Sequence, residues 1–522
     1  MNREEMIRRM KARRSAWDVV IIGGGASGLG AAVDAVSRGY ETLLLEQDDF
    51  AKGTSSRSTK LVHGGVRYLA QGNISLVLEA LRERGLLRQN ATHLVRDQSF
   101  VIPCYAWWCI PFYTIGLTLY DLMAGKWAVG RSIPLSRKKT VQSLPTIKTR
   151  GLKGGVRYFD CQFDDARLAI NLAQTVEDLG GTVINYQRVE GLMKDKGKVS
   201  GVIARDLESQ ELVEIPSRVV INATGVFVDR VIQMDEPEAR DQVKPSQGIH
   251  LVMKHSFLKG EEALMVPKTS DGRVLFAVPW HNHVVVGTTD VEKHEALLEP
   301  VAEKAEVDYI IETAGRFMEQ PPTRGDVLSV FTGLRPLAAP TAEGKKTKEI
   351  SRGHKVLVSE GGLVTLTGGK WTTYRQMGEE VIDRAAKVGG LPGRRSQTRQ
   401  LKVHGYLPRI DRSDSLYWYG SDRKELEQIQ KEATGMDQVL SVELQINKAQ
   451  VVFALRREMA RTVEDFLARR TRALQLNARE SIRMAPAVAA IMAEEQGKDS
   501  EWEKNQVTQF TALARNYILN SS

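Results

Sequence analysis

A glycine-rich turn followed by an acidic residue is the first indication of chemistry in this chain. Gly23, Gly25 and Gly28 have the spacing GxGxxG, directly after the short apolar run Asp18–Ile22. The first glycine permits a tight turn, the second lets the backbone approach a pyrophosphate, and the following helix N-terminus offers N–H groups. Glu46 ends the next predicted strand, where a carboxylate accepts hydrogen bonds from an adenosine ribose. The pattern predicts a bound dinucleotide, and by itself it does not distinguish NAD from FAD.

Two further polar segments have the composition of a ligand site. Residues 48–69 are rich in Gly, Ser and Thr and contain His63, with Arg67 and Tyr68 close behind it. Such a loop can cradle phosphates and a ring system. The string GGKWTTYR, residues 368–375, combines two glycines with a lysine far along the chain. We expect both segments to approach the same ligand.

The apolar patterns around these motifs predict an α/β fold. Residues 218–229 include another predicted apolar strand, which ends in Ala-Thr-Gly. The return of such a strand to the first sheet would resemble the arrangement in FAD proteins, a resemblance that the apolar pattern itself does not establish. Short apolar runs separated by turns between residues 243 and 337 predict an antiparallel sheet, the expected substrate domain. Beyond about residue 400, charged helical segments such as VVFALRREMARTVEDFLARRTRALQLNAR predict a helical cap.

The predicted organisation is a Rossmann-like FAD-binding domain interleaved with an antiparallel-sheet substrate domain and followed by a C-terminal helical domain. The boundaries are a basic N-terminal arm at 1–16, FAD-binding segments at 17–98, 151–242 and 352–395, substrate-binding segments at 99–150 and 243–351, and the helical domain at 396–522.

Composition narrows the possible partners. The formal charge is +9 over 522 residues, and a basic excess favours anionic partners such as phosphorylated substrates or acidic lipid. No nucleic-acid-binding module is recognisable, so we expect no nucleic acid partner. The chain has three cysteines with no CxxC pair, which argues against a zinc site, and we expect no metal.

Two segments raise the question of a membrane. In the N-terminal arm, Met1, Met6, Ile7 and Met10 would form an apolar stripe on a short basic helix, which either lies on a membrane surface or is a frayed terminus. Residues 100–123 are strongly apolar and Trp-rich but are interrupted by two prolines. A single crossing there would put two halves of one nucleotide fold on opposite sides of the bilayer. The segment is therefore either a buried wall or lies in the membrane interface.

Taken together, these motifs resemble the FAD-dependent, quinone-linked glycerol-3-phosphate dehydrogenases of the D-amino-acid-oxidase-like superfamily. The resemblance covers nearly the whole chain and is strongest in IIGGGASGLGAAVDAVSRG, SSRSTKLVHGGVRYL, GGKWTTYR and ALRREMARTVEDFLARRTR, with DDARL, NATG, GTTD and GLRPL between them. One departure is Val226-Phe227 after the Ala-Thr-Gly, where relatives often have Pro-Trp.

The resemblance implies that FAD oxidises sn-glycerol 3-phosphate to dihydroxyacetone phosphate by accepting a hydride, in glycerol and glycerophospholipid catabolism. The residues implied for FAD are Gly23, Gly25, Ala26, Ser27, Gly28, Glu46, Thr54, Ser55, Ser58, Lys60, Leu61, His63, Gly64, Gly65, Ala223, Thr224, Gly225, Gly369, Lys370, Trp371 and Thr372. Those implied for the substrate are Arg67, Tyr68, Arg335, Arg352 and Lys370.

The catalytic residues implied are His63, Arg335 and Lys370. One arginine guanidinium can donate two parallel hydrogen bonds to two oxygens of the same phosphate. A neutral His63 can accept the hydroxyl proton near pH 7, although a structural histidine packed on the flavin and an alkoxide-stabilising cation are the alternatives.

The electron acceptor is expected to be a membrane quinone, with the protein bound peripherally at the cytoplasmic face of the cell membrane or free in the cytoplasm. A homodimer is one possible assembly. The alternatives in the same fold are a glycerol-3-phosphate oxidase that uses oxygen, an amine or amino-acid oxidase, and a non-catalytic flavin scaffold. The basic set Arg67, Arg335 and Lys370 favours a phosphorylated substrate.

Overall fold

A computed structural model describes residues 1–66, 69, 72–269, 272–339 and 353–519. The strands in chain order are β1 Trp17–Ile22, β2 Thr42–Leu45, β3 Leu61–Val62, β4 Val95–Cys104, β5 Ile133–Ser136, β6 Gly154–Phe163, β7 Thr182–Ile184, β8 Gln187–Asp195, β9 Lys198–Asp206, β10 Leu212–Asn222, β11 Val243–Lys254, β12 Ala263–Val266, β13 Leu275–Trp280, β14 His283–Gly287, β15 Val291–Glu292, β16 Val327–Ala338, β17 His354–Val358, β18 Val364–Gly368, β19 Val439–Ser441 and β20 Ile446–Asn447.

The helices in chain order are α1 Arg3–Ala12, α2 Ala26–Ser37, α3 Ile74–Asn90, α4 Cys109–Ala124, α5 Arg137–Ser143, α6 Asp165–Asp178, α7 Val228–Asp235, α8 Lys304–Gly315, α9 Tyr374–Val388, α10 Arg423–Glu432, α11 Lys448–Arg457, α12 Ala473–Leu476, α13 Ala478–Gln496 and α14 Ser500–Arg515.

The first sheet has the strand order β17-β18-β10-β1-β2-β7, and its β18, β10, β1, β2 and β7 are parallel. Residues 19–22 of β1, 43–45 of β2 and 219–221 of β10 are continuous buried apolar runs, as expected where helices cover a parallel sheet. Helices α2 and α9 approach closely, since a Cβ on Gly378 would lie 2.4 Å from the carbonyl oxygen of Gly30. This contact joins the N-terminal glycine-rich unit to the helix that follows GGKWTTYR.

The second sheet has the order β15-β11-β14-β13-β12-β4-β6-β3, with β16 beside β11 and β5 beside β6. Its pairs are antiparallel except for β12 with β4, which confirms the predicted antiparallel sheet. Strand β6 pairs here, whereas the predicted boundaries place it in the FAD-binding segment 151–242. The domain boundaries otherwise stay a prediction.

The N-terminal arm is docked on the protein, which corrects both sequence-based interpretations of it. Met1, Met6 and Met10 are buried in the core beside the first sheet. The guanidinium of Arg3 is buried and lies 2.9 Å from Asp206 Oδ2. The apolar stripe of α1 therefore faces the protein, neither lying on a membrane nor fraying into solvent.

The apolar segment 100–123 divides into two parts. Its start belongs to β4, where Phe100 and Ile102 are buried, and its remainder is mostly the helix α4. Leu117 and Tyr120 face inward, while the opposite side of α4 is exposed. Pro111 lies in the first turn of α4, where the missing N–H costs no helical hydrogen bond. Within the described residues, no helix is both long and apolar enough to cross a bilayer.

The C-terminal region is largely helical, as expected, but its arginine-rich stretch is not one helix. Helix α11 ends at Arg457, and a π-helical turn follows at Asp465–Arg470. Arg472 then has a left-handed backbone with φ of 60°. The break occurs where several arginine side chains turn inward to buried acidic partners, so tertiary charge pairing overrides the local helical pattern.

Candidate functional site

The carboxyl ends of four parallel strands meet at one edge of the first sheet. These are the ends of β1, β2, β10 and β18, which lead directly into GGGASG, Glu46, Ala-Thr-Gly and GGKWTTYR. The Gly23 N–H donates to Leu45 O over 2.8 Å, and the Ala223 N–H donates to Ile22 O over 2.9 Å. In open α/β sheets, ligands bind outside this edge.

A cavity of about 910 Å³ opens at this edge and continues along the face of the second sheet. Its volume is in the usual range for sites that bind small molecules and cofactors. The predicted cofactor residues that line it are Gly23, Gly25, Ala26, Ser27, Glu46, Thr54, Ser55, Ser58, Leu61, His63, Gly65, Ala223, Thr224, Gly225, Gly369, Lys370, Trp371 and Thr372. Their contacts with the cofactor itself stay a prediction.

The glycine positions fit a dinucleotide. Gly23 has φ of 110°, and a Cβ there would lie 2.7 Å from Ala223 O. A Cβ on Gly28 would lie 1.9 Å from Gly23 O, so this glycine allows the turn and helix to pack although it does not line the cavity. Any larger side chain would push the backbone away from the place where a pyrophosphate meets the N-terminus of α2.

Glu46 stands where a ribose-binding acid is expected. Its Oε2 accepts from the Gly24 N–H over 2.6 Å, and its Oε1 accepts from the Asp48 N–H over 2.9 Å. Burial raises the pKa of Glu46 to about 7 against the opposing effect of these two backbone hydrogen bonds. Ribose hydroxyls that donate to the carboxylate would favour its ionised form.

Three of the predicted cofactor residues make contacts within the protein instead of facing the cavity with a free polar group. Lys60 does not line the cavity, because its buried ammonium binds Asp165 Oδ1 at 2.8 Å. The Ser58 hydroxyl donates to the same carboxylate over 2.7 Å. Gly64 is also absent from the wall, since it packs against Tyr120. The cofactor role of the Lys60 side chain is therefore corrected to an internal ion pair.

The candidate substrate side chains converge only in part within the described residues. Arg335, His63 and Lys370 line one cavity, whereas Arg67, Tyr68 and Arg352 lie outside the described residues. Arg335 donates from Nη2 to the Thr288 hydroxyl over 3.1 Å, and its Nη1 lies 3.8 Å from Asp290 Oδ1. The segment between β14 and β15 thus orients the Arg335 guanidinium in the cavity wall.

Sequence reasoning missed a second histidine in the cavity wall, His250 on β11. Its Nε2 is 2.9 Å from the Thr59 hydroxyl oxygen, and its ring stacks on Phe331 with 4.8 Å between centroids. Burial and then the charges of Arg335 and Lys60 hold the pKa of His250 well below its ordinary value, so the imidazole is neutral. In the sequence, the only indication of His250 was its place among the apolar residues of a predicted strand, which is the place of any core residue.

Other lining residues carried no sequence motif. Gln187, Arg188 and Val189, at the start of β8, line the part of the cavity near Glu46. Phe227 and Arg230 form another part of the wall, with the guanidinium 5.0 Å from the ring centroid. Among the described residues, no group of three or more His, Cys, Asp and Glu side chains is arranged to hold a metal ion, and the absence of a metal stays a prediction.

Family models divide the chain into two matches. Residues 18–375 match the FAD dependent oxidoreductase family, and residues 366–503 match the C-terminal domain of alpha-glycerophosphate oxidase. The first match covers both of these sheets from Asp18 onward and the described wall residues of the cavity except Met377.

Curated relatives match over nearly the full chain. The mitochondrial glycerol-3-phosphate dehydrogenase of Saccharomyces cerevisiae is 34% identical, with 98% of this chain and 91% of the relative covered. The Homo sapiens mitochondrial enzyme of the same name is 35% identical, covering 97% of this chain and 73% of the relative. A crystal structure of the glycerol-3-phosphate dehydrogenase from Bacillus halodurans complexed with FAD has a TM-score of 0.81 and 27% identity, covering 99% of this chain and 98% of that one.

The raised pKa of Glu46 predicts a pH dependence of cofactor binding. Because the carboxyl titrates near pH 7 in the free protein and ribose hydroxyls favour the carboxylate, binding releases a proton. The dissociation constant for FAD should therefore fall as pH rises from about 6 to about 8. Fluorescence titration of the apoprotein measures this, and Glu46→Gln should weaken binding and flatten the dependence. Equal slopes in both proteins would contradict the role of Glu46.

Proposed function

Because the chain belongs to the family of FAD-dependent glycerol-3-phosphate dehydrogenases, we propose that it oxidises sn-glycerol 3-phosphate to dihydroxyacetone phosphate. FAD is its cofactor. The observation that supports this most strongly is that one cavity joins a dinucleotide cradle to Arg335, Lys370 and two histidines. A homodimer stays a prediction.

The chain must hold a small dianion against the flavin ring. When bound, FAD supplies the acceptor for the hydride that leaves the second carbon of the substrate. We assign Arg335 and Lys370 to the charged substrate, with the phosphate at one end and the reacting hydroxyl near the histidines. Arg335 is already oriented by Thr288 and Asp290, so little side-chain entropy is lost when it binds.

Proton removal needs a base beside the hydroxyl. We propose His63 for this role, since it lines the cavity within the glycine-flanked loop. His250 is the second candidate, because it is neutral and its other nitrogen, Nδ1, makes no hydrogen bond to any residue that the structure describes. A proton arriving on His250 would be repelled by Arg335, which disfavours His250 as the resting place of the proton.

We propose a membrane quinone as the electron acceptor, with the protein bound peripherally at the cytoplasmic face of the cell membrane. The support is the outer side of α4 and the turn before it, which together form an apolar surface. Its members are between 50% and 76% exposed, and they are Trp107, Trp108, Phe112, Ile115, Leu119 and Leu122. Contiguous apolar patches of this kind on soluble surfaces mark sites of interaction with proteins or membranes.

The charges around this apolar surface favour an anionic bilayer. The basic side chains nearby in sequence are exposed, and they are Lys126, Arg131, Arg137, Lys138 and Lys139. The one acid between residues 100 and 139 is Asp121, which accepts a hydrogen bond from the Ser132 N–H over 2.6 Å. An apolar helix face flanked by basic residues and tryptophans is typical of proteins that lie in the membrane interface.

An anaerobic experiment tests the proposed reaction. Adding glycerol 3-phosphate to the FAD-loaded protein should bleach the visible flavin absorbance, and adding a short-chain quinone should restore it. Glycine and other amino acids should leave the flavin oxidised. An intact flavin that glycerol 3-phosphate does not reduce would contradict the proposal, and rapid reoxidation by oxygen with no response to quinone would favour an oxidase.

The phosphate assignment predicts a selective loss of affinity. Arg335→Ala and Lys370→Ala should each lower kcat/KM for glycerol 3-phosphate by about 10- to 100-fold, because a hydrogen bond to a charged group contributes about 1.5–3 kcal/mol. If glycerol, which lacks the phosphate, is turned over at all, its rate should change much less. Lys355→Ala, at an exposed position on β17, is the matched control. Equal losses with both substrates would contradict a phosphate role.

The apolar surface predicts membrane binding that one pair of substitutions removes. The wild-type protein should sediment with vesicles containing phosphatidylglycerol, and Ile115→Glu with Leu119→Glu should weaken this by more than about tenfold, since each buried aliphatic side chain contributes roughly 1.5–3 kcal/mol. Reduction of a water-soluble dye should be unchanged. Leu212→Glu is the control, because Leu212 is 51% and Leu119 50% exposed. Unaltered sedimentation of the double variant would contradict this surface.

A further inference from the structure

A buried arginine run in the C-terminal region has no role in the reaction as described above. Arg469 and Arg470 lie in the π-helical turn, and Arg472 follows them. All three side chains are buried, although arginine is rarely buried without charged partners. Their partners show what this segment, residues 464–475, does for the rest of the fold.

The first partner is Asp49, three residues after Glu46. Arg470 donates to both carboxylate oxygens of Asp49, over 2.5 Å and 2.8 Å, and Arg469 donates to Oδ2. Burial alone would raise the pKa of Asp49, but Arg470 and Arg469 outweigh it and lower the pKa, so the carboxylate is charged. A bidentate arginine pair of this kind fixes both position and orientation.

Further contacts bind the same stretch of chain at other points. The Lys52 ammonium lies 3.1 Å from Glu464 Oε2. Gln475 donates from Nε2 to Ser56 O over 2.6 Å and accepts from the Lys60 ammonium at Oε1 over 2.9 Å. Residues 464–475 therefore contact the chain between 49 and 60 repeatedly, across more than 400 residues of sequence.

The residues of 46–61 divide between two sides. Glu46, Asp48, Thr54 and Ser55 are among those that line the cavity, which is where the predicted contacts with FAD lie. Asp49, Ser56 and Lys60 do not line it and instead contact residues 464–475. Lys52 does both, since it lines the cavity and pairs with Glu464. The same backbone thus presents one side to the cofactor site and the other to the C-terminal region.

We propose that residues 464–475 form a clamp that positions the cofactor-binding stretch 46–61, so that FAD affinity is coupled to the C-terminal domain. The inference rests on FAD being the cofactor, but not on the identity of the substrate. Without the clamp, the loop after Glu46 would become ordered only when FAD binds, and the entropy lost in ordering it would weaken FAD binding. The clamp residues act through the loop and are positioning residues.

Two mild substitutions test the clamp. Gln475→Leu removes the contacts to Ser56 and Lys60, and Arg470→Lys replaces the bidentate pair while keeping the charge. Each should raise the dissociation constant for FAD by about tenfold or more, measured by fluorescence titration of the apoprotein. The control is Arg456→Lys, in the same domain, whose exposed guanidinium pairs with Glu432 and Glu495. Its dissociation constant should equal that of the wild type.

Melting temperatures separate positioning from simple loss of stability. A variant that only destabilises the fold lowers the melting temperature of the apoprotein and holoprotein equally, whereas a clamp variant narrows the gap between them, because ligand stabilisation depends on the dissociation constant. Wild-type FAD affinity in both variants, with lowered melting temperatures, would overturn the proposal.

A measurement on the wild-type protein covers the case in which a variant fails to fold. Coupling between two sites is reciprocal, so FAD should slow amide hydrogen exchange in residues 464–475. Exchange in α14, which lies outside the clamp, should change less. No protection of 464–475 by FAD would overturn the proposal. These outcomes involve no substrate, so the clamp and the proposed oxidation succeed or fail separately.

Discussion

The ligand site of this protein depends on the ends of four parallel strands, which meet at one edge of the first sheet. The ends of β1, β2, β10 and β18 come from distant parts of the sequence, and bringing them together costs chain entropy. Burial of the apolar runs at residues 19–22 in β1 and 219–221 in β10 offsets that cost, and the close contact of α2 with α9 at Gly30 and Gly378 fixes the last strand and its helix against the first. The result is a row of backbone turns that face one cavity.

The second sheet supplies what the nucleotide fold lacks. Its face carries Arg335, His250 and the residues around them, so the charged and titratable groups stand opposite the strand ends. Burial and the nearby charges keep His250 neutral, whereas the guanidinium of Arg335 always carries its charge, so proton acceptance and anion binding fall to different side chains. Outside this sheet, α4 and the turn before it then expose an apolar surface.

Much of this arrangement was predictable from the sequence because short motifs impose local geometry. The spacing of Gly23, Gly25 and Gly28 between a strand and a helix has few other uses, and the short apolar runs separated by turns after residue 243 indicated the antiparallel sheet. Contacts formed only by tertiary packing were not predictable. Lys60 lies in a loop whose composition suits phosphate binding, but its ammonium pairs with Asp165. The apolar stripe of α1 is typical of a helix on a membrane surface, but it packs onto the protein core. The arginine-rich stretch after Arg457 has helical periodicity, yet its side chains turn inward to Asp49 and break the helix.

The central claim is that this cavity transfers a hydride from the second carbon of glycerol 3-phosphate to its flavin. The most direct measurement is stopped-flow reduction of the flavin, without oxygen, by glycerol 3-phosphate carrying either hydrogen or deuterium at that carbon. Slower bleaching with deuterium at saturating substrate is the predicted result, since the broken bond is then the labelled one. Bleaching that is absent, or an isotope effect that appears only with deuterium at the first or third carbon, would contradict the account.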